Sequence, residues 1–395
     1  MSVHYDAVVI GGGLLGCATA WMIARDGGRV LMVERDQINQ HASGRNAGSL
    51  HFQLEYRMIE HGLDSARKAA EAMPLHLEAA RLWSELSALC GESIEVKQTG
   101  GLMIAENAEQ VALLEQKTGI EQSWGLDIRM IDRAEIERIA PYLSERVIAA
   151  AYCPVEGKAD ARTAAPALAR AALREGAEIR TRTEVTGLAR TGLRWNVSLR
   201  DRDGKEDMVS ADATVIVAGV WTTRLGQMFG AALPTIPLAL TMTVTMRIPK
   251  LIPHLVQHAG GRLSLKQALD GNILIGGGWP ARLALLPDGQ PDLDTPPELQ
   301  GESLAGNARM AIRVLPELAT VPVLRSWVGT TTITPDQLPL VGAVPGQPGA
   351  FVATGGSAFT LGPCFARVLA DLVAGRTPAM DLKTFDPRRY SGEQG

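Results

Sequence analysis

The sequence predicts an α/β (α+β) protein: a Rossmann-like nucleotide-binding domain interrupted by a β-rich domain. Three observations predict it. Tyr5–Ile10 (YDAVVI), the glycine-rich turn 11–16, a helix from Cys17 and an apolar run at Arg29–Val33 form a strand–turn–helix–strand unit. Strand-like runs crowd the middle of the chain, from Glu178 to Ile275. Near the end, Ala350–Ala353 leads through Gly355-Gly356 into another helix, returning to the opening pattern.

Composition fits a large globular chain. Of 395 residues, 46% are hydrophobic and 21% charged, enough for at least one sizeable core and for two to three domains. The net charge of -4 comes from well-mixed acids and bases, so no basic stripe for nucleic acid is present. The apolar stretch Ala231–Met246 is broken by Pro234, Pro237 and threonines, so it predicts strands rather than a transmembrane span. The first strand starts by Tyr5, which leaves no room for a signal peptide and makes the cytoplasm the default compartment. Cys17, Cys90, Cys153 and Cys364 are scattered without a CxxC pair, so disulfide, zinc and iron–sulfur sites are not expected.

In chain order, Gly11, Gly13 and Gly16 occupy the three positions of GxGxxG, with Leu14 and Leu15 between the last two. The first glycine permits the tight turn, the second lets a pyrophosphate approach, and the third lets helix and strand pack closely. Glu34, beside Arg35, lies 18 residues past Gly16, where a carboxylate can take both ribose hydroxyls and disfavours a 2′-phosphate. This unit predicts a Rossmann-like dinucleotide site and leaves NAD or FAD open. The segment His41–Gly48 (HASGRNAG) reads as a loop suited to close approach of a ligand. Glu55–Leu89 is helical with an interruption at Pro74, Gly100–Ala105 a strand, and Ala108–Lys117 and Arg133–Ile139 helices. A helix over Ala164–Glu175 precedes a strand at Glu178–Thr181. Glu184–Ala189 and Arg194–Arg200 pair, and a buried strand follows at Ala213–Val217. Thr235–Ile248 and Asn272–Ile275 are strands, Leu286–Gln300 with its four prolines a loop, and Gly301–Leu315 a helix. The last helix opens at Gly362-Pro363, where proline suits the first turn. A single GxGxxG unit without a second βαβαβ half fits two-domain NAD dehydrogenases poorly.

Eight segments in order give a resemblance. GGGLLG with Glu34, Ser43-Gly44-Arg45-Asn46-Ala47-Gly48, Gly157-Lys158-Ala159-Asp160, Val185, and Val215–Trp221 are the first five. Thr334-Pro335-Asp336 with Leu338–Gly342, Gly355-Gly356-Ser357 through Gly362-Pro363, and Phe385–Tyr390 complete the set. Together they resemble the D-amino-acid-oxidase-like superfamily of FAD-dependent oxidoreductases over nearly the whole chain. The resemblance implies FAD, an FAD-binding domain from residues 1–85, 152–225 and 322–395, and a substrate-binding domain from 86–151 and 226–321. It implies cofactor contacts at Gly11, Gly13, Leu14, Leu15, Gly16, Glu34, Arg35, Ser43, Gly44, Arg45, Asn46, Ala47, Gly48, Leu50, Val185, Ala218, Gly219, Trp221, Gly355, Gly356, Phe359, Thr360, Leu361 and Gly362. The N-terminus of the last helix would then aim its partial positive charge at the flavin, favouring hydride transfer to N5.

Two departures refine the expectation. Small-substrate amino acid oxidases of the superfamily often carry a carboxylate-binding Arg where this chain has Thr331, so that clamp is absent or comes from elsewhere, with Arg262 and Arg282 as candidates. Gly329 stands where covalent sarcosine oxidases carry Cys, which implies non-covalent FAD. The opening and SGRNAGSLHFQ resemble most the flavin β-type subunits of heteromeric enzymes, among them the B subunit of opine oxidase, hydroxyproline dehydrogenase and hydrogen cyanide synthase. The resemblance implies oxidation of the C–N bond of an amino or imino acid or secondary amine, an opine foremost. It implies electron transfer to a partner subunit carrying further flavin or iron–sulfur centres, or peripheral membrane association through one. A stand-alone oxidase and a non-catalytic FAD relay are the alternatives.

His51, just past the loop, is the first catalytic candidate, against a hydrogen-bonded structural role. Lys266 is the second, matching a lysine that related oxidases use in oxygen reduction, against an exposed strand lysine. Arg45 pairs with pyrophosphate or substrate, or is a surface arginine. His254 and His258 have i, i+4 spacing but no carboxylate companion, so no metal is expected. Cys364 at a helix start is either a thiol of lowered pKa or a packing residue.

Overall fold

The computed structural model describes residues 3–391. Two eight-stranded sheets organise them. The first runs Leu340–Ala343, Ala350–Thr354, Glu206–Ile216, His4–Ile10, Val30–Val33, Glu178–Arg180, with the hairpin Thr183–Thr191 and Arg194–Asp201 paired onto Glu206–Ile216. Its centre is parallel: Val9 pairs with Val215 on one side and Met32 on the other. Such strands are covered on both faces, and Val8 and Val9 are fully buried.

Small residues let the helices close on this sheet. The opening helix Leu14–Arg25 packs against Ala164–Arg174 on one side and Gly362–Val373 on the other. Gly16, Cys17, Ala18 and Ala20 are buried in that contact, where longer side chains would hold the helices apart.

The second sheet runs Val323–Ile333, Ile236–Arg247, Asn272–Gly276, Gly261–Gln267, Leu255–His258, Gly101–Ala105, Ala149–Cys153, Arg129–Asp132. Leu263 and Leu265 on one face join Ala311, Val314 and Leu315 in a core beneath the helix Gly301–Val314. By the strand's alternation, Arg262, Ser264 and Lys266 point to the other face, toward the first sheet.

Several elements differ from the sequence reading. The segment over 41–48 contains a one-turn helix, Ala42–Arg45. The long helical region after Glu55 is three helices, Tyr56–Ile59, Leu63–Ala70 and Met73–Cys90, and Pro74 opens the last of them instead of breaking it. Strands at Arg129–Asp132, Leu255–His258 and Leu340–Ala343 are short and carry weak alternation. Val323–Ile333 pairs along Ile236–Arg247, so sheet membership puts residues 323–333 with the second sheet and not with the division drawn at 322.

Candidate functional site

The two sheets face each other across a cavity of about 770 Å³. One end lies over the opening unit. Gly11 has φ +124°, and a Cβ there would stand 2.5 Å from the Val217 carbonyl oxygen. A Cβ on Gly16 would stand 1.8 Å from the Gly11 carbonyl oxygen, so the turn closes only with glycine at both positions. The helix that follows has no side-chain cap at Gly13 and no acid in its first turn. Ser43 Oγ accepts from the Leu14 amide at 2.9 Å, fastening the 41–48 segment over the helix start. The helix end therefore presents amide dipoles to an anion.

Glu34 is nearly buried and lines the cavity. It accepts from the Gly12 and Asp36 amides, each at 2.7 Å, which aims the carboxylate along the wall. Beyond it the Arg35 guanidinium lies 4.1 Å from the Trp221 ring centroid, with His41 edge-on to the same ring at 4.8 Å. Val185, Ala218 and Gly219 complete this end.

At the other end Arg45, Asn46, Ala47, Gly355, Gly356, Phe359 and Thr360 form the wall. A Cβ on Gly362 would stand 3.0 Å from Leu14 Cδ2, so the last helix begins close to the start of the first, and it too lacks a side-chain cap or first-turn acid. His51 lines the cavity with Nε2 3.0 Å from Ser264 Oγ of the second sheet. Burial pushes its pKa down, so the ring stays neutral near pH 7.

The predicted residues divide into wall and backing. Gly11, Gly13, Leu15, Glu34, Arg35, Ser43, Val185, Trp221 and the residues just named line the cavity. Leu14, Gly16, Gly44, Gly48, Leu50, Leu361, Gly362 and Lys266 stand one layer behind it. The backing positions demand tight packing: a Cβ on Gly44 would meet the Asn39 carbonyl at 2.0 Å, and on Gly48 the Ala159 carbonyl at 2.2 Å. Lys266 Nζ donates to that same Ala159 carbonyl at 2.9 Å, and burial lowers its pKa to about 7.

Other candidates resolve differently. Arg282 pairs with Glu298 at the surface and does not line the cavity, whereas Arg262 does. His258 ends the strand Leu255–His258 and His254 stands just before it, so the i, i+4 spacing does not place them on a helix face. His254 instead bonds the Tyr142 hydroxyl and His258 faces Glu106. Cys364 is buried 3.8 Å from Met380 Sδ, and burial pushes its thiol pKa up, so it is a packing residue. Asp336 accepts from Arg389 Nε at 2.8 Å and from the Tyr390 hydroxyl at 2.6 Å. The TPD and FDPRRY segments thus fasten one another and do not reach the cavity.

Glu55 and Arg57 on the wall escaped the sequence reading, whereas Ser357, which meets them, lies in the Gly355-Gly356-Ser357 segment of the resemblance. Ser357 has φ +59°, and its hydroxyl donates to Glu55 Oε1 at 2.7 Å while accepting from Arg57 Nη2 at 2.9 Å. Arg57 Nη2 also lies 3.2 Å from Glu55 Oε1. Arg57 and its neighbours hold the Glu55 carboxyl down at about 2, although its burial acts in the opposite direction. The only sequence signal was an acid and a base two residues apart just after the apolar run past Gly48.

The wall fits a dinucleotide along its length. Asn39 Oδ1, His51 Nδ1, Trp221 Nε1 and Thr354 Oγ1 are buried polar atoms of this wall without a protein partner. A family model described as FAD dependent oxidoreductase (DAO) matches residues 6–372. The chain belongs to this FAD dependent oxidoreductase family. Glycine oxidase of Geobacillus kaustophilus is 27% identical over 100% of both chains. The B subunit of opine oxidase from Rhizobium meliloti is 26% identical over 98% of each. Mitochondrial sarcosine dehydrogenase of Mus musculus is 26% identical over 98% of this chain, which spans 41% of that longer protein. In three dimensions this oxidoreductase matches the Geobacillus glycine oxidase with TM-score 0.84 at 25% identity, covering 98% of each chain. It matches L-proline dehydrogenase from P. horikoshii with TM-score 0.83 at 25% identity, covering 99% of each. The FAD expected from the resemblance is therefore the cofactor of its family, and its fold is the one those enzymes share. Among the described residues no helix is long and apolar enough to cross a membrane.

Proposed function

We propose that this oxidoreductase oxidises the C–N bond of an amino or imino acid, an opine foremost, and hands its electrons to a partner subunit. Bound non-covalently, FAD supplies the two-electron acceptor. Glu34, Arg35, Val185, Ala218, Gly219 and Trp221 would hold its adenosine half. Gly11, Gly13 and Ser43 would take the pyrophosphate, and Arg45–Ala47 with Gly355–Thr360 the flavin end. Each is on the wall or in a turn that only glycine allows.

The observation that carries the reading is the composition of the wall beyond the flavin end. It combines a neutral His51, the charged Glu55–Arg57 pair and the apolar Leu240 and Met242, a mixture suited to a small zwitterion. His51, held by Ser264, orients the substrate amine and is a neutral acceptor for its proton. The full-length likeness to the B subunit of opine oxidase supports the partner-linked form. A stand-alone oxidase is the second reading. It is supported by the full-length likeness to glycine oxidase and by the buried Lys266, whose charge behind Gly48 would favour oxygen reduction.

The test is anaerobic mixing of the purified holoprotein with opines, D-amino acids, hydroxyproline, sarcosine and glycine, read as loss of visible flavin absorbance. Bleaching by an opine with slow recovery of colour in air supports the proposal. Fast recovery selects the oxidase. An FAD-containing protein that no member of the panel bleaches overturns both and leaves the relay role.

A further inference from the structure

If the substrate is an amino or imino acid, its carboxylate needs a cation, and Thr331 occupies the position from which relatives would supply one. The arginines on the cavity wall are Arg35, Arg45, Arg57, Arg224 and Arg262. Arg35 and Arg224 face Asp294 at the adenosine end. Arg45 donates to the Gln40 carbonyl at 3.1 Å and the Val328 carbonyl at 3.4 Å. Arg262 is exposed. Arg57 differs from all four. Its Nη2 is fixed by Glu55 and Ser357, while neither Nε nor Nη1 has a protein acceptor. A guanidinium carries five N–H donors, so most of the fork is uncommitted. Ser357 holds its side of the brace in the left-handed backbone region, a strained conformation that concentrates at ligand sites. Gly356 lies directly against the fork: a Cβ there would stand 3.0 Å from Nη2 and 3.2 Å from Nη1. The flavin-end turn and the arginine are thus in contact.

We propose that Arg57, braced by Glu55 and Ser357, seats the substrate carboxylate and restricts this enzyme to amines that carry one. The inference rests on the amino-acid reading of the site and names the residue that reading lacked. With both Nη2 hydrogens taken by Glu55 and Ser357, Nη1 offers two uncommitted N–H donors to a carboxylate oxygen, and the brace removes most of the ordering cost that a free arginine would meet. Glu55 stays ionised, so the arginine is held in place by a charge that substrate does not displace.

The test uses FAD-loaded protein and two non-oxidisable probes, 2-furoate and its neutral amide 2-furamide, titrated while the visible flavin spectrum is followed. Wild type is expected to respond to 2-furoate and not to 2-furamide. R57Q should weaken 2-furoate binding at least about tenfold, R57K less, and S357A to an intermediate degree. R282Q, at a surface pair away from the cavity, should bind as wild type. FAD content and melting temperature of each variant show whether the fold survives, and S357A keeps the test alive if R57Q does not. Equal binding of furoate and furamide by wild type, unchanged furoate binding in R57Q, or a loss confined to R262Q overturns the proposal. Failure of the wider reading looks different: the wild-type flavin is then bleached by no amino or imino acid, whatever the probes do.

Discussion

Lys117 Nζ lies 2.8 Å from Glu121 Oε2, and neither side chain touches solvent. The pair sits on the helix Ala108–Ser123, one turn apart, and reaches the segment that carries the site. Lys117 also donates to Gln53 Oε1 at 2.9 Å, and Glu121 Oε1 accepts from the Leu54 amide. From the other side the buried Glu156 accepts from the amides of Phe52 and Gln53 and from Gln53 Nε2. Three successive backbone amides between His51 and Glu55 are thus held by two buried carboxylates. Breaking a buried pair leaves an uncompensated charge, so K117M is expected to cost about 3–5 kcal/mol, read by urea unfolding. A K117M/E121L double variant should recover part of that loss, because the orphaned charge goes with it.

Glu156 couples this frame to pH. Burial raises its carboxyl from 4.5 to about 7, so the folded chain binds that proton more tightly than the unfolded chain. Its stabilising contribution is full below about pH 4.5 and is lost as pH rises to about 7. His76 and His254, both lowered to about 4, act in the opposite sense over nearly the same range. The measurement is therefore a difference. Unfolding free energy of wild type minus E156Q should fall from pH 4.5 to 7. A flat difference would remove Glu156 from the account.

The glycines of the cofactor turn make a steric prediction. G16A places a methyl group 1.8 Å from the Gly11 carbonyl oxygen, and G48A places one 2.2 Å from the Ala159 carbonyl oxygen. Each is expected to lower the melting temperature, through roughly 1–3 kcal/mol of overpacking, and to lower bound FAD per chain. G27A is the control, since nothing lies within 4 Å of a Cβ there, although its φ of +89° carries a smaller backbone penalty.

Lys266 separates the two electron acceptors. Its pKa of about 7 means that the ammonium is present below neutrality and lost above it. In the oxidase reading, reoxidation of the reduced holoprotein by oxygen is fast below about pH 7 and slows above it. K266M should then be slower by about a hundredfold at low pH, with the pH dependence gone. In the partner-linked reading, wild type itself reoxidises slowly and K266M changes the rate little. Stopped-flow mixing with air-saturated buffer at pH 6 and 8 distinguishes them.

Much of the cofactor end was legible because its demands are local. Gly11, Gly13 and Gly16 are dictated by a turn a few residues long, and Glu34 follows at a distance set by one helix and one strand. The wall around Arg57 was not. Arg57 looks like any helix arginine until Ser357, 300 residues later, is folded against it. Lys266 reads as a strand lysine, and it is buried only once Gly48 and the Ala159 carbonyl fold over it. Arg282 was a reasonable anchor by type, but Glu298 already holds it at the surface.

The sequence by itself determined the nucleotide-binding turn, the alternation of helix and strand, and the family to which the chain belongs. The first two rest on backbone geometry and hydrophobic period, which act between near neighbours, and the family on its resemblance through short motifs in a fixed order. Only the tertiary structure decided which charged groups meet across the cavity, which glycines line it and which back it, and how Lys117, Glu121 and Glu156 hold the segment between His51 and Glu55. Those relationships join residues far apart in sequence, and their energies arise from desolvation and long-range hydrogen bonds that exist only after the two sheets have closed.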